Sequence, residues 1–200
     1  MPRPSRWTEI VAAAGRLFQA KGFAATSLED IASEVGMWKG SLYHYIESKE
    51  DLLFAVVREP ADDLLRQVRD VVGLDLPPAE KIRLIARSHG SVLEHNFVFA
   101  SVYLQEIAGR QRDVEWSAMD REYLRAVTGI VEEGIASGDF AGTLNARTAT
   151  LSLIGSLNWM THWYRPDGPI PASVIADEIC STFLNGSLSR QRAPVALRGS

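Results

Sequence analysis

The sequence predicts an all-α protein of about nine helices, with a small three-helix head and a larger helical body. Three observations carry that prediction. Apolar residues recur at spacings of three and four along nearly all of the 200 residues. Glycine, proline and capping residues punctuate them where helices should stop and start. Three short helices in about 46 residues precede roughly six longer ones, which places a head over 1–50, a body over 51–190 and a disordered tail over 191–200.

The first helix is predicted over Trp7 to Lys21, where Ile10, Val11, Ala14, Leu17 and Phe18 share a face and Gly22 is the stop. In "TSLEDIASEVG", Thr26 and Ser27 are N-cap candidates. Glu29 and Asp30 favour the positive end of the helix, and Gly36 ends it. A third, shorter helix runs from about Lys39 to Tyr45. Ser48 with Asp51 three positions on forms a capping box for a fourth, which extends to about Val72. Pro60 lies inside it and should kink or break the helix near Glu59, at a cost of about 3 kcal/mol. Pro78 opens a fifth helix through His95. Weaker boundaries fall near Asn96 and near Gly109 to Asp113. A long helix then ends at "ASGDF", with Gly138 as its cap. Two apolar segments, "ARTATLSLIGSLNWMTHWY" and "PASVIADEICSTFLNGSL", close the fold around "RPDGPIP".

Composition narrows the function classes. Net charge is −4, so the whole chain makes no electrostatic case for nucleic acid. Its distribution says more: residues 1–50 carry six Lys/Arg and six Asp/Glu, and the entire excess of acid lies beyond them. The single cysteine, Cys180, excludes an internal disulfide and reads as a buried thiol in a reducing compartment. No run reaches the roughly 18 apolar residues of a membrane span, and "MPRPSRWTEI" lacks a signal-peptide core, so a cytoplasmic protein is expected. His44, His89, His95 and His162 have no metal-ligand spacing, so no metal is expected. Nucleophile elbows and phosphate-cradling glycine loops are missing, so no enzyme is expected and no cofactor is called for.

The chemistry concentrates in "EVGMWKGSLYHYIESKEDL", Glu34 to Leu52. The second helix, the turn at Val35–Gly36–Met37 and the third helix have the lengths of a helix-turn-helix, whose second helix enters the major groove. Lys39 is a point charge for phosphate, and Ser41 can donate to phosphate or a base edge. Tyr43 and His44 reach further, and Gly40 lets a backbone approach closely. Lys49 with the amides opening the fourth helix, and Thr26 and Ser27 opening the second, read as anion sites. Each residue alone reads equally well as a cap or a solvated face.

Residues 8–54, through "AAAGRLF", "KGFAATSLEDIA", "KGSLYHYI" and "SKEDLL", resemble the DNA-binding head of the TetR family of transcriptional regulators. The resemblance implies an all-helical homodimer with a ligand pocket in its C-terminal body. It puts Lys39, Gly40, Ser41, Tyr43 and His44 on the recognition helix, and Thr26, Ser27 and Lys49 on phosphates. Trp38 departs from the family pattern, which has Ser or Thr there as a cap. The indole either packs on backbone sugars at the groove edge or covers an apolar side of the head.

In this family the last two helices of each subunit usually form a four-helix bundle. Small Ala149, Gly155 and Ser156, with Leu153, Ile175, Ile179 and Phe183, suit that interface, or else are buried within one chain. A twofold dimer spaces its recognition helices by about 34 Å and asks for a near-palindromic operator. "WYRPDGP" is similar to members that answer to acyl-CoA thioesters in lipid and steroid catabolism; the bland reading is a packed aromatic helix end. Under the resemblance, Trp159, His162, Trp163 and Arg165 would meet the nucleotide, while Phe97, Phe99, Val102, Tyr103 and Ile107 would line an acyl pocket. The expected function is a ligand-released repressor. A drug-like effector, an activator, and a binding protein whose neutral head no longer reads DNA remain the alternatives.

Overall fold

The computed structural model describes residues 5–107 and 114–187, apart from the side chains of 114–117 and 187. The boundary expected near Gly109 to Asp113 and the tail over 191–200 lie outside the described residues. Among those residues the chain is all-helical: α1 Arg6–Lys21, α2 Leu28–Glu34, α3 Lys39–Leu42, α4 Lys49–Val72, α5 Pro78–His95, α6 Phe97–Val102, α7 Val114–Ser137, α8 Ala146–Trp159 and α9 Ala172–Ser187. A π-helical turn, Tyr103–Ile107, continues α6, and a 3₁₀ turn, Met160–His162, continues α8.

Local signals set most ends. Ser5 Oγ accepts the Thr8 amide, starting α1 one residue before the expected Trp7, and Gly22 ends it at φ 81°. Ser27 and Ser48 each close a capping box, with Asp30 and Asp51 respectively. Gly138, at φ 84°, ends α7. The left-handed conformation there and at Gly36 (φ 64°) is one a side chain with a Cβ rarely adopts.

Two expectations need correction. Of the kink or break expected near Glu59, the break does not occur: α4 runs through Pro60 as one helix. Proline costs about 3 kcal/mol there, yet Val57 before it and Leu65 and Val68 after it are buried, each worth about 1.5–3 kcal/mol. Packing on both sides outweighs one lost hydrogen bond. The third helix also stops at Leu42, short of Tyr45. Tight bonds from the Tyr45 amide to the Leu42 carbonyl (2.8 Å) and from His44 to Ser41 (3.4 Å) form turns, which set both Leu42 and Ile46 into the head core.

There are two apolar cores. The body core gathers Ile82, Ile85, Val131, Phe140, Leu157 and Met160 from α5, α7, α8 and their connections. The head core gathers Ile10, Phe18, Ile31, Leu42, Leu52 and Val57, but it also takes Phe99, Val102 and Ile107 from the body's α6 segment. Gly15 of α1 makes that docking close: a Cβ on it would lie 3.1 Å from Val98 Cγ1 and 3.3 Å from Val56 Cγ1. The head is therefore held from two sides, by α4 and by α6.

The tightest crossing is α5 on α9. A Cβ on the buried Gly90 would sit 2.9 Å from the Ala172 carbonyl oxygen and 2.8 Å from Ala176 Cβ, so backbone must move to admit it. Gly90→Ala is expected to destabilise the fold by about 1–3 kcal/mol, read from the midpoint of urea unfolding. An unchanged midpoint would mean that α9 is not seated this way.

Candidate nucleic-acid interface and ligand cavity

The helix-turn-helix is built by short-range bonds. The Met37 amide returns to the Ala32 carbonyl at 2.8 Å, Gly36 supplies the turn, and Arg6 Nη2 donates to the Val35 carbonyl. Met37 packs on the head core, so the next residue is turned outward. Trp38 is 86% exposed and makes no side-chain capping bond. Of the two readings of Trp38, covering an apolar side of the head is excluded. Lys39, Gly40, Tyr43 and His44 are exposed beside it, with Ser41 half-buried. Tyr45, 42% exposed, joins this surface and was missed by counting it within a helix that ends earlier.

Lys39 Nζ lies 2.9 Å from Glu29 of α2, which raises the ammonium's pKa through a hydrogen bond and charge. The other three expected phosphate ligands are engaged within the head. Thr26 is buried: its hydroxyl donates to the Leu17 and Gly22 carbonyls at 3.2 and 2.8 Å, and its amide to Phe23. Ser27 donates both N–H and O–H to Asp30 Oδ2, each at 2.9 Å. Lys49 Nζ donates to the Phe23 and Thr26 carbonyls at 2.7 and 2.8 Å and lies 4.3 Å over the Phe23 ring. It clamps the α1–α2 loop to α4, with one N–H left over. The amides of Glu47 and Ser48 donate to Asp51 Oδ2, holding that carboxyl below its usual range. Both anticipated anion sites therefore already hold the protein's own carboxylates.

The body holds a partly open cavity of about 300 Å³ between α4, α5, α6 with its π-turn, α7 and α8. Its wall is mostly apolar, with Leu64, Val92, Phe99, Leu104, Leu124 and Ile154 prominent. His89, Tyr103, Asp120, Tyr123, Asn158 and Thr161 supply the polar groups. Tyr103 donates its hydroxyl to Asp120, and His89 Nδ1 lies 3.4 Å from the Tyr123 hydroxyl. Burial keeps both phenols neutral and raises the Asp120 carboxyl against the pull of Tyr103. Burial also pushes His89 down to about 4, against a hydrogen bond with Asn158. Among the described residues no His/Cys/Asp/Glu group could hold a metal ion.

Of the residues expected to line this cavity, only Phe99 and Tyr103 do so. Phe97 packs against Tyr164 in the body core, with ring centroids 6.0 Å apart. Val102 and Ile107 point into the head core. Trp159 is 60% exposed and stacks on His162 at 3.9 Å, while Trp163 and Arg165 are exposed, all outside the cavity. The interface expectation divides as well. Ala149 and Leu153 are buried in the chain's own core, whereas Gly155 and Ser156 are exposed on α8, and Ile175, Ile179 and Phe183 are half-buried on α9.

A helix-turn-helix head with an outward-facing third helix, set on a helical body with a cavity, is the architecture of a transcriptional regulator. The chain belongs to the TetR family. Residues 10–56 match the family described as bacterial regulatory proteins, tetR family, and residues 75–187 match the tetracyclin repressor-like C-terminal domain. It is 26% identical over 190 residues to the HTH-type transcriptional repressor KstR2 of Rhodococcus jostii (strain RHA1), covering 94% of this chain and 93% of that one. It is 24% identical over 186 residues to the fatty acid metabolism regulator protein of Bacillus subtilis (strain 168), covering 90% and 95%. The solved structure of the ketosteroid transcriptional regulator KstR2 of Mycobacterium tuberculosis superposes with a TM-score of 0.87 at 25% identity, over 94% of this chain and 98% of that one. These are transcriptional regulators, not enzymes. Among the described residues no helix is long and apolar enough to cross a membrane.

The His89 environment has a pH consequence. Its folded pKa is about 4 against an ordinary 6.5, so the unfolded chain takes up the proton first. Stability is full above about 6.5 and falls as pH drops toward 4, by roughly 3 kcal/mol for this one group. His89→Gln should flatten that part of the pH profile of urea unfolding, and an unaltered slope would show that His89 protonates freely in the fold.

Proposed function

We propose that the protein is a homodimeric repressor that binds a near-palindromic operator and is released by an acyl-CoA thioester. The observation that carries the effector is continuity. Asn158 and Thr161 line the cavity, and the residues next to them in sequence, Trp159 and His162, form an exposed aromatic stack. At about 300 Å³ the cavity is at the small end of ligand sites and has no room for a whole CoA thioester. The acyl group enters it; the nucleotide stays outside, against Trp159, His162, Trp163 and Arg165. The names of relatives that regulate fatty-acid metabolism, or are ketosteroid regulators, support the same class.

Dimerisation uses the outer face of α8 and α9. Leu151, Gly155 and Ser156 on α8, the first two also at the cavity, and Val174 on α9, are exposed, and Ile175, Ile179 and Phe183 are half-covered. An apolar strip of this kind asks for a second copy, and a Cβ on Gly155 would meet nothing within 4 Å inside one chain. The twofold axis then presents two α3 helices to successive major grooves.

Release passes through α6 as well as α4. Tyr103 touches the cavity, and three residues on Glu106 Oε1 accepts the Phe23 amide of the head at 2.9 Å. A ligand that displaces the π-turn pulls on the same loop that Lys49 clamps. A coupling of about 1–3 kcal/mol changes operator affinity by about 5–150-fold.

Fluorescence anisotropy on the DNA flanking the gene, with and without CoA thioesters, tests the reading. Tight, salt-sensitive binding abolished by one thioester is expected. Binding indifferent to every thioester removes the effector class, and an apolar drug-like ligand that releases the DNA would take its place. Trp38→Ala should weaken operator binding by more than about twofold with no change in melting temperature; equal affinity would take Trp38 off the DNA. Glu106→Ala should keep operator affinity but raise the effector concentration needed for release about fivefold or more. Release at the wild-type concentration would move the coupling back to α4 alone.

A further inference from the structure

We propose that the cavity selects a ligand whose buried end carries a neutral hydrogen-bond donor, a hydroxyl set against Asp120, and that it rejects one ending in a carboxylate. Treating that end as part of an acyl group rests on the function proposed above; the selection by charge does not.

The argument starts from the lining. Among the described residues no Lys or Arg is on it, and His89 is neutral at pH 7, so they offer an anion no cation. They supply one carboxylate, Asp120. Among the same residues that side chain has a single hydrogen-bond partner, the Tyr103 hydroxyl on Oδ1. An ionised carboxylate accepts about four hydrogen bonds, so Oδ2 has lone pairs and no partner among the described residues. An under-bonded anion in an apolar wall is costly, and a ligand hydroxyl relieves that cost.

The other polar groups leave the same opening. The Tyr103 proton is committed to Asp120, and the His89 ring and the Tyr123 hydroxyl face each other. A ligand carboxylate would arrive desolvated, with neutral donors at best and no cation among the described residues, close to a second carboxylate. A plain alkyl end would fill the space but leave Oδ2 unpaired. A hydroxyl satisfies it, and so does an ammonium.

Isothermal titration of the full-length protein with octanol, octylamine and octanoate, at mildly alkaline pH where Asp120 is ionised, tests this without any CoA group. Octanol and octylamine are expected to bind, with octanoate weaker by about tenfold or more. Asp120→Asn should erase the preference for octylamine over octanoate while octanol still binds. Equal affinity of the wild-type protein for octanol and octanoate, or binding of none of the three, overturns the proposal, and neither outcome needs the variant to fold. A parallel titration compares acyl-CoA thioesters of one chain length with and without a terminal hydroxyl. Charge discrimination among the three probes with no binding of any thioester would remove the effector class and leave the charge selection standing.

Discussion

The structure depends on the docking of one body segment, Phe97–Ile107, against α1 of the head. Three short helices bury too little surface to hold themselves, and the head core is completed only when Phe99, Val102 and Ile107 enter it. Gly15 permits the approach, since any side chain there would meet Val98 and Val56 together. The polar contact from Glu106 to the Phe23 amide and the weaker one from Gln19 to Ser101 (3.5 Å) border the same joint. α4 is therefore not a lone lever carrying a free head. The head rests on two supports, and a change in their relative position is a change in its orientation.

A second constraint is electrostatic. The head has no net charge, yet a DNA-binding surface needs affinity for phosphate. The structure shows where its acids go. Asp30 and Asp51 cap α2 and α4, where helix amides and dipoles hold them ionised, and Glu29 holds Lys39. These carboxylates take up amides that a phosphate would otherwise compete for. Beside Lys39, which Glu29 holds, the exposed groups around α3 are Trp38, Tyr43, His44 and Tyr45, so the surface proposed for DNA is rich in rings and poor in free ammonium groups.

The helical order of the fold and the helix-turn-helix were legible because their signals are local: caps, Gly36, and apolar residues on one face. What could not be read was which side of a residue meets which neighbour. Thr26 looks like a cap and an anion ligand in sequence, but the α1–α2 loop folds its hydroxyl onto two carbonyls. Val102 and Ile107 share a segment with Phe99 and Tyr103, yet of the four only the latter pair reaches the cavity; the segment runs between two cores, and its periodicity does not say which face meets which. Ala149 and Leu153 have the small and apolar character of an interface, but periodicity gives a face without saying whether its partner is the same chain or another. Asp120 gave no sequence signal, since one acid on a long charged helix is ordinary until the fold turns it inward.

The π-turn is where these threads meet. It puts Tyr103 at the cavity wall, bonded to Asp120 of α7, while Glu106 and Ile107 of the same turn are bound to the head. A π-turn is a poorly stabilised length of helix, one residue out of register with its α-helical alternative. A ligand hydroxyl seated on Asp120 Oδ2 would lie beside the Tyr103–Asp120 bond, at the near end of a turn whose far end, Ile107, completes the head core. Under the function proposed above, this turn is the shortest covalent link between the ligand's polar end and the head.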